Sequence, residues 1–158
     1  MSSTFVNVMI LFSALGSALV AGIFFAFSTF VMKALGRLQP EQGIAAMQAI
    51  NVTVLNPWFF TVFFGTGVGC IFLTVFALSN WSGPVAANLA VGSMLYIIGC
   101  IFVTMVFNVP LNNALARAAA NDPDSVSIWR HYLRRWTFWN HVRTGASLAA
   151  ATLLILAY

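Results

Sequence analysis

Long apolar runs alternate with short polar ones along this chain, and four of the runs are long enough to decide its class. They cover about 5–32, 55–78, 85–107 and 138–158. A hydrocarbon core roughly 30 Å thick takes about 20 helical residues to cross, so each run predicts a membrane-spanning helix. The first run has no basic stretch ahead of it and reaches residue 32 without a small-residue cleavage site, which predicts a retained helix and not a signal peptide. No intervening segment is long enough to divide the chain. The expected fold is an all-α membrane protein: one domain, 1–158, built as an antiparallel four-helix transmembrane bundle with short interfacial helices on the cytoplasmic side.

Two connections carry patterns of their own. In "LQPEQGIAAMQAIN", Pro40 suits a first helical turn, and Ile44, Met47 and Ile50 recur every three residues, which predicts a short helix lying against the interface. "SIWRHYLRRWTFW" interleaves Trp129, Tyr132, Trp136 and Trp139 with arginines, the composition of an aromatic belt at a membrane surface. "ANDPDS", with Asn121, Asp122, Pro123 and Asp124, reads as a plain exposed turn. Within the runs, Ser13, Ser17 and Ala21, flanked by Ala14, Ala18 and Gly22, place small residues every fourth position, as do Gly65 and Gly69; close helix approach is the expected consequence. The phenylalanines of "FFAFSTF" read as lipid-facing or core packing before they read as a pocket wall.

Composition confirms the class. Hydrophobic residues make up 61% of the chain and charged residues 6%, against about 25% charged in soluble domains, so lipid must solvate much of the surface. All seven Lys and Arg fall after the first run, between the third and fourth, or at the start of the fourth. Cytoplasmic loops hold such an excess, which predicts both termini outside and explains the net charge of +4 by topology and an anionic leaflet. A nucleic-acid partner has no support. Cys70 and Cys100 lie at different expected depths and are read as small apolar residues, not a disulfide. Two His and three carboxylates in loops make no evident metal or haem set, so neither metal nor other cofactor is expected, with His141 left open as one ligand of a shared site.

The polar residues of the runs share one depth. Asn51, Thr53 and Asn56 precede the second run; Thr104, Asn108, Asn112 and Asn113 close the third; Asn140, His141, Arg143 and Thr144 open the fourth. At about 100° per residue, Trp136, Asn140, Arg143 and Ser147 form one stripe, and Thr137, His141, Thr144 and Leu148 its neighbour. Ionisable groups within a span nearly always face the bundle interior and mark function. Pro110 should break or kink the third run and leave carbonyls near 104–106 for Asn side chains to satisfy; Asn51 and Asn56 suit helix caps. His141 is the one interior side chain with a base-like range, while Arg143 also suits an anchor snorkelling to headgroups.

"TMVFNVPLNNAL", then "WNHVRTGASLAA", with "MQAIN" upstream, resemble the anthrone oxygenase-like membrane proteins of bacteria and fungi. The resemblance covers nearly the whole chain. It implies a four-helix membrane domain, an expected place in a bacterial inner membrane, and, as in some fungal members, oxidation of a polyketide anthrone to an anthraquinone by molecular oxygen without a known cofactor. Such chemistry needs a base, a stabiliser for an oxyanion and an apolar slot. His141 is the candidate base, with Arg143 and Asn140 beside it in the catalytic set. Asn108, Asn112, Asn51, Asn56, Trp136 and Thr144 are the candidate substrate-binding residues, and Trp58, Phe107 and Trp139 further stacking surfaces. The expected partners are the lipid bilayer, a flat phenolic substrate and oxygen, with a homo-oligomer left open. The competing reading is a non-catalytic binder or accessory subunit whose polar cluster seals helix ends; a transporter is less favoured, since four short spans show no inverted repeat.

Overall fold

A computed structural model describes residues 3–119 and 125–158, and among these every regular element is helical. Chain order is α1 (Ser3–Ala26), a π-helical stretch (Phe27–Val31), α2 (Met32–Leu35), α3 (Pro40–Thr53), α4 (Pro57–Ser79), α5 (Gly83–Met94), two π-helical stretches (Leu95–Phe102 and Thr104–Asn108), α6 (Val109–Ala116) and α7 (Ser125–Leu156). Three continuous helical segments among the described residues are long and apolar enough to cross a membrane: Thr4–Leu35, Pro57–Ser79 and Gly83–Ala116. The chain is thus an integral membrane protein. The run expected at 138–158 is not among these three. It is the second half of α7, whose apolarity is diluted by Asn140, His141 and Arg143, although that half packs along α1, α5 and Leu95–Phe102. The turn expected at Asn121, Asp122, Pro123 and Asp124 lies outside the described residues.

Close packing follows the small residues. Ser13, Ser17, Ala14 and Ala21 are buried, Gly16 sits against Thr66, and Gly69 against Ser13, so α1 and α4 approach where neither carries bulk. Ala18 and Gly22 face outward instead. The core beside them joins Val20, Phe24, Phe63, Cys70, Leu73, Tyr96 and Leu154. Cys70 and Cys100 are both buried and free.

Two expectations need correction. Pro110 does not break the third span: the helix widens into π-helical stretches upstream, and Pro110 then falls in the first turn of α6, where its missing N–H costs little. The aromatic segment is not a surface belt either. Trp129, Tyr132 and Trp136 recur at helical spacing on α7, stack successively at 5.8 and 5.9 Å between ring centroids, and are buried with Ile44 and Met47 of α3 and with Leu115. What remains outward on that length of α7 is Arg130, His131, Arg134 and Arg135, all exposed. The helix expected from "LQPEQGIAAMQAIN" forms, with Pro40 in its first turn.

A buried arginine at an apolar cavity

A cavity of about 340 Å³ opens among the first π-helical stretch, α3, the start of α4, Thr104–Asn108 and α7. Its walls are almost wholly apolar: Phe24, Phe27, Phe59 and Phe63 on one side, Met47, Ile50, Val54 and Leu55 from α3 and the turn after it, Met105 and Val109 on another. Polar atoms enter at two levels. Arg143 and Thr104 lie at one, Asn51 and Asn112 at the other. Thr104 and Asn112 are eight positions apart (112 − 104 = 8) on one continuous helical segment, about two turns along its axis.

Arg143 is only 4% exposed. Its Nη1 donates to Thr104 Oγ1 at 3.1 Å and its Nη2 to Asn140 Oδ1 at 2.6 Å, while Nε has no partner. The guanidinium lies 4.0 Å above the Phe24 ring and 5.1 Å from the Trp136 ring, contacts that stabilise a desolvated cation by about 2 kcal/mol or more. No carboxylate of the described residues meets it, for Glu41 is exposed at the start of α3. A cation in an apolar cavity without a counterion leaves a large desolvation cost uncompensated. An anionic group entering the cavity would offset it.

Asn140 is the residue that holds Arg143. Its Oδ1 accepts from the guanidinium, and its Nδ2 donates to Phe24 O and to Ser28 Oγ, each at 2.7 Å. Those bonds consume both ends of the amide and so fix its orientation. Phe24 lies three residues before the start of the π-helical stretch Phe27–Val31, where normal helical bonding is disturbed. Thr144 Oγ1 donates to Asn140 O at 2.8 Å, which leaves Ser28 as the donor in the 3.1 Å pair with Thr144. At the other level Asn112 Oδ1 accepts from Tyr132 Oη and Trp136 Nε1, both at 2.8 Å, and Asn51 Nδ2 reaches Tyr132 Oη at 3.4 Å.

Of the residues named from sequence, the cavity gathers Arg143, Asn112, Asn51 and Trp136. Asn140 supports from behind. Thr144 supports Asn140 in turn and does not reach the cavity wall. Asn108 is buried with Nδ2 donating to Trp136 O at 3.2 Å and Oδ1 unpartnered; it ties the third span to α7 and is not part of the lining. Asn56 is a cap: its Oδ1 accepts from Phe59 N at 3.0 Å, and its Nδ2 turns back to Thr53 O and Val54 O. Trp58 is 84% exposed, and Trp139 stacks on Phe107 at 3.7 Å, away from the cavity.

The largest correction is His141. Its side chain is exposed and outside the cavity, because one step of about 100° carries it off the buried stripe of Trp136, Asn140, Arg143 and Ser147. The wheel assigns both the stripe of Arg143 and the neighbouring stripe of His141 to the interior-facing arc, and only the first is buried. Phe24, Phe27, Met47 and Phe63 line the cavity without having been singled out as its walls, and Ser28 and Tyr132 support it unannounced. A serine amid the phenylalanines of "FFAFSTF" was the available signal for Ser28. No three His, Cys, Asp or Glu side chains converge among the described residues.

The anthrone oxygenase family profile matches residues 58–153, well over half of the chain. The chain belongs to this family. The matched stretch includes Phe59, Phe63, Thr104, Asn112, Trp136, Asn140 and Arg143, so much of the cavity lies within it. No curated protein and no solved structure matches significantly.

Proposed function

We propose that this family member oxidises a flat phenolic carbon acid of the anthrone type with molecular oxygen, and that Arg143 is the group that binds the substrate as its enolate. The observation that carries the reading is the buried guanidinium, unpaired by any described carboxylate, on the wall of an apolar cavity. Phe24 and Trp136 already flank the cation, and the second polar level at Asn51 and Asn112 suits a further oxygen at the far edge of a tricyclic ring. In this proposal the second half of α7 is the fourth helix of an antiparallel bundle, with both termini on the outer side of a bacterial inner membrane.

The chemistry balances without a protein oxidant. One hydrogen leaves the substrate CH2 as a proton, and the oxyanion so formed is held by Arg143, as a preorganised donor holds charge that develops in a water-poor site. The carbanionic carbon adds O2 and takes up a proton to give a hydroperoxide. Loss of water across the O–O bond and the remaining C–H leaves the ketone. Among the described residues Arg143 is the one ionisable side chain lining the cavity, so the first proton passes to water and the site works by selecting the ionised substrate. kcat/KM should therefore rise with pH until that substrate ionises in solution.

The deciding experiment follows quinone absorbance from an anthrone with protein in lipid nanodiscs. Arg143→Gln should lower kcat/KM by about 10² to 10³, the scale of losing one oxyanion donor. Arg143→Lys should also be damaging, because a point charge does not reproduce the planar fork. Wild-type turnover in a folded Arg143→Gln protein would overturn the role of Arg143; absence of any anthrone oxidation by the wild type would overturn the activity. The cavity would then be that of a non-catalytic binder, a reading favoured by how fully Asn140 and Asn56 are engaged with backbone and neighbouring side chains.

A further inference from the structure

The cavity has an apolar side open at the outer surface of the helices. Of its lining residues, Leu55 is 63% exposed, Met105 52%, and Phe60 and Phe64 are exposed as well. They come from the two sides of one gap. α4 packs closely on α5 and on Leu95–Phe102, yet has at most slight contact with Thr104–Asn108, so the second and third spans part at the level of the cavity. The parting has local causes. Asn56 caps α4 and fixes where it starts, and the third span is widened by its π-helical stretches just before Pro110. Opposite them Phe24, Met47, Trp136 and Arg143 are buried, with Trp136 stacked on Tyr132.

We infer that the cavity loads sideways from the bilayer, through the window framed by Leu55, Phe60, Phe64 and Met105, and that its ligand is a flat phenol held at the bilayer interface, whose ionised ring oxygen meets Arg143 while an apolar substituent stays in the window. This rests on the proposed reading of Arg143 as an oxyanion site and adds the route of entry and the apolar substituent. A ligand arriving from water would have to pass the tyrosine and tryptophan stack and the Asn51 and Asn112 amides. One arriving from lipid meets only apolar side chains until it reaches the guanidinium, and its alkyl part need never leave hydrocarbon.

The test uses the full chain in nanodiscs and two probes, 1,8-dihydroxyanthraquinone and an octyl-substituted analogue, with binding followed by probe fluorescence in stopped flow. Wild type should bind both, the octyl analogue at least as tightly. Leu55→Trp with Met105→Trp should slow association of 1,8-dihydroxyanthraquinone by 10-fold or more, slow its dissociation in parallel, and exclude the octyl analogue. Val75→Trp, at a lipid-exposed position of α4 outside the cavity, should change nothing. Failure of the wild type to bind either probe, rejection of the octyl analogue by the wild type, or unchanged kinetics in the double variant would overturn the inference. Failure of the oxygenase reading alone looks different: the probes bind with the expected kinetics, and no anthrone is oxidised.

Discussion

Arg143 and His141 are two positions apart and have opposite environments, one 4% exposed in the cavity wall and the other turned outward. His141→Ala should therefore leave turnover within about twofold of wild type, where a positioned base would cost about 10²-fold or more; kcat measured beside Arg143→Gln separates the two. Asn140 is the more consequential neighbour. Removing its amide strips an acceptor from Arg143 and a donor from Phe24 O, all buried, and each unsatisfied buried group costs about 1–3 kcal/mol. Asn140→Ala should lower the midpoint of thermal unfolding in nanodiscs as well as activity, whereas Arg143→Gln should spare stability by comparison. The inward stripe of α7 was legible because a helical wheel needs only spacing. The partners of that stripe were not, since Phe24 and Ser28 lie 116 and 112 positions from Asn140 and only the fold brings them together.

Elements show where pattern suffices and where it does not. Three spans and α3 could be read directly, since lipid forces every backbone group to bond within its own helix and leaves length and apolarity as the signal. The π-helical widening upstream of Pro110 could not, because a proline marks a disturbance without saying whether the helix breaks or absorbs it. Glycines divide in the same way. At Gly16 a Cβ would collide with Thr66, while at Gly22 it would meet nothing within 4 Å. Gly16→Ala should force α1 from α4 and cost about 1–3 kcal/mol, the range for overpacking; Gly22→Ala should be neutral or slightly stabilising, as a helical Gly exchanged for Ala is. Thermal unfolding of the two variants side by side checks the contrast. Equal destabilisation would mean that the approach of α1 to α4 does not depend on this glycine.

At the scale of the whole molecule, charge and cavity fall at the same end. Lys33, Arg37, Arg117, Arg130, Arg134 and Arg135 are exposed around the end of the helices that carries α3, and the cavity opens just inside that collar. An anionic leaflet attracts each such cation by about 1 kcal/mol, so the collar favours the membrane face that carries anionic lipid. The proposed orientation makes that the cytoplasmic side. Single cysteines at Glu41 and at Asn80, exposed at opposite ends, read it out in intact cells once Cys70 and Cys100 are replaced by serine. A membrane-impermeant maleimide added outside should modify Asn80→Cys and spare Glu41→Cys until the cells are opened. The reverse pattern would invert the orientation and set the basic collar against the outer leaflet. Both sites on one side would instead refute the pairing of α3 and the α4–α5 turn with opposite faces, and with it the antiparallel bundle.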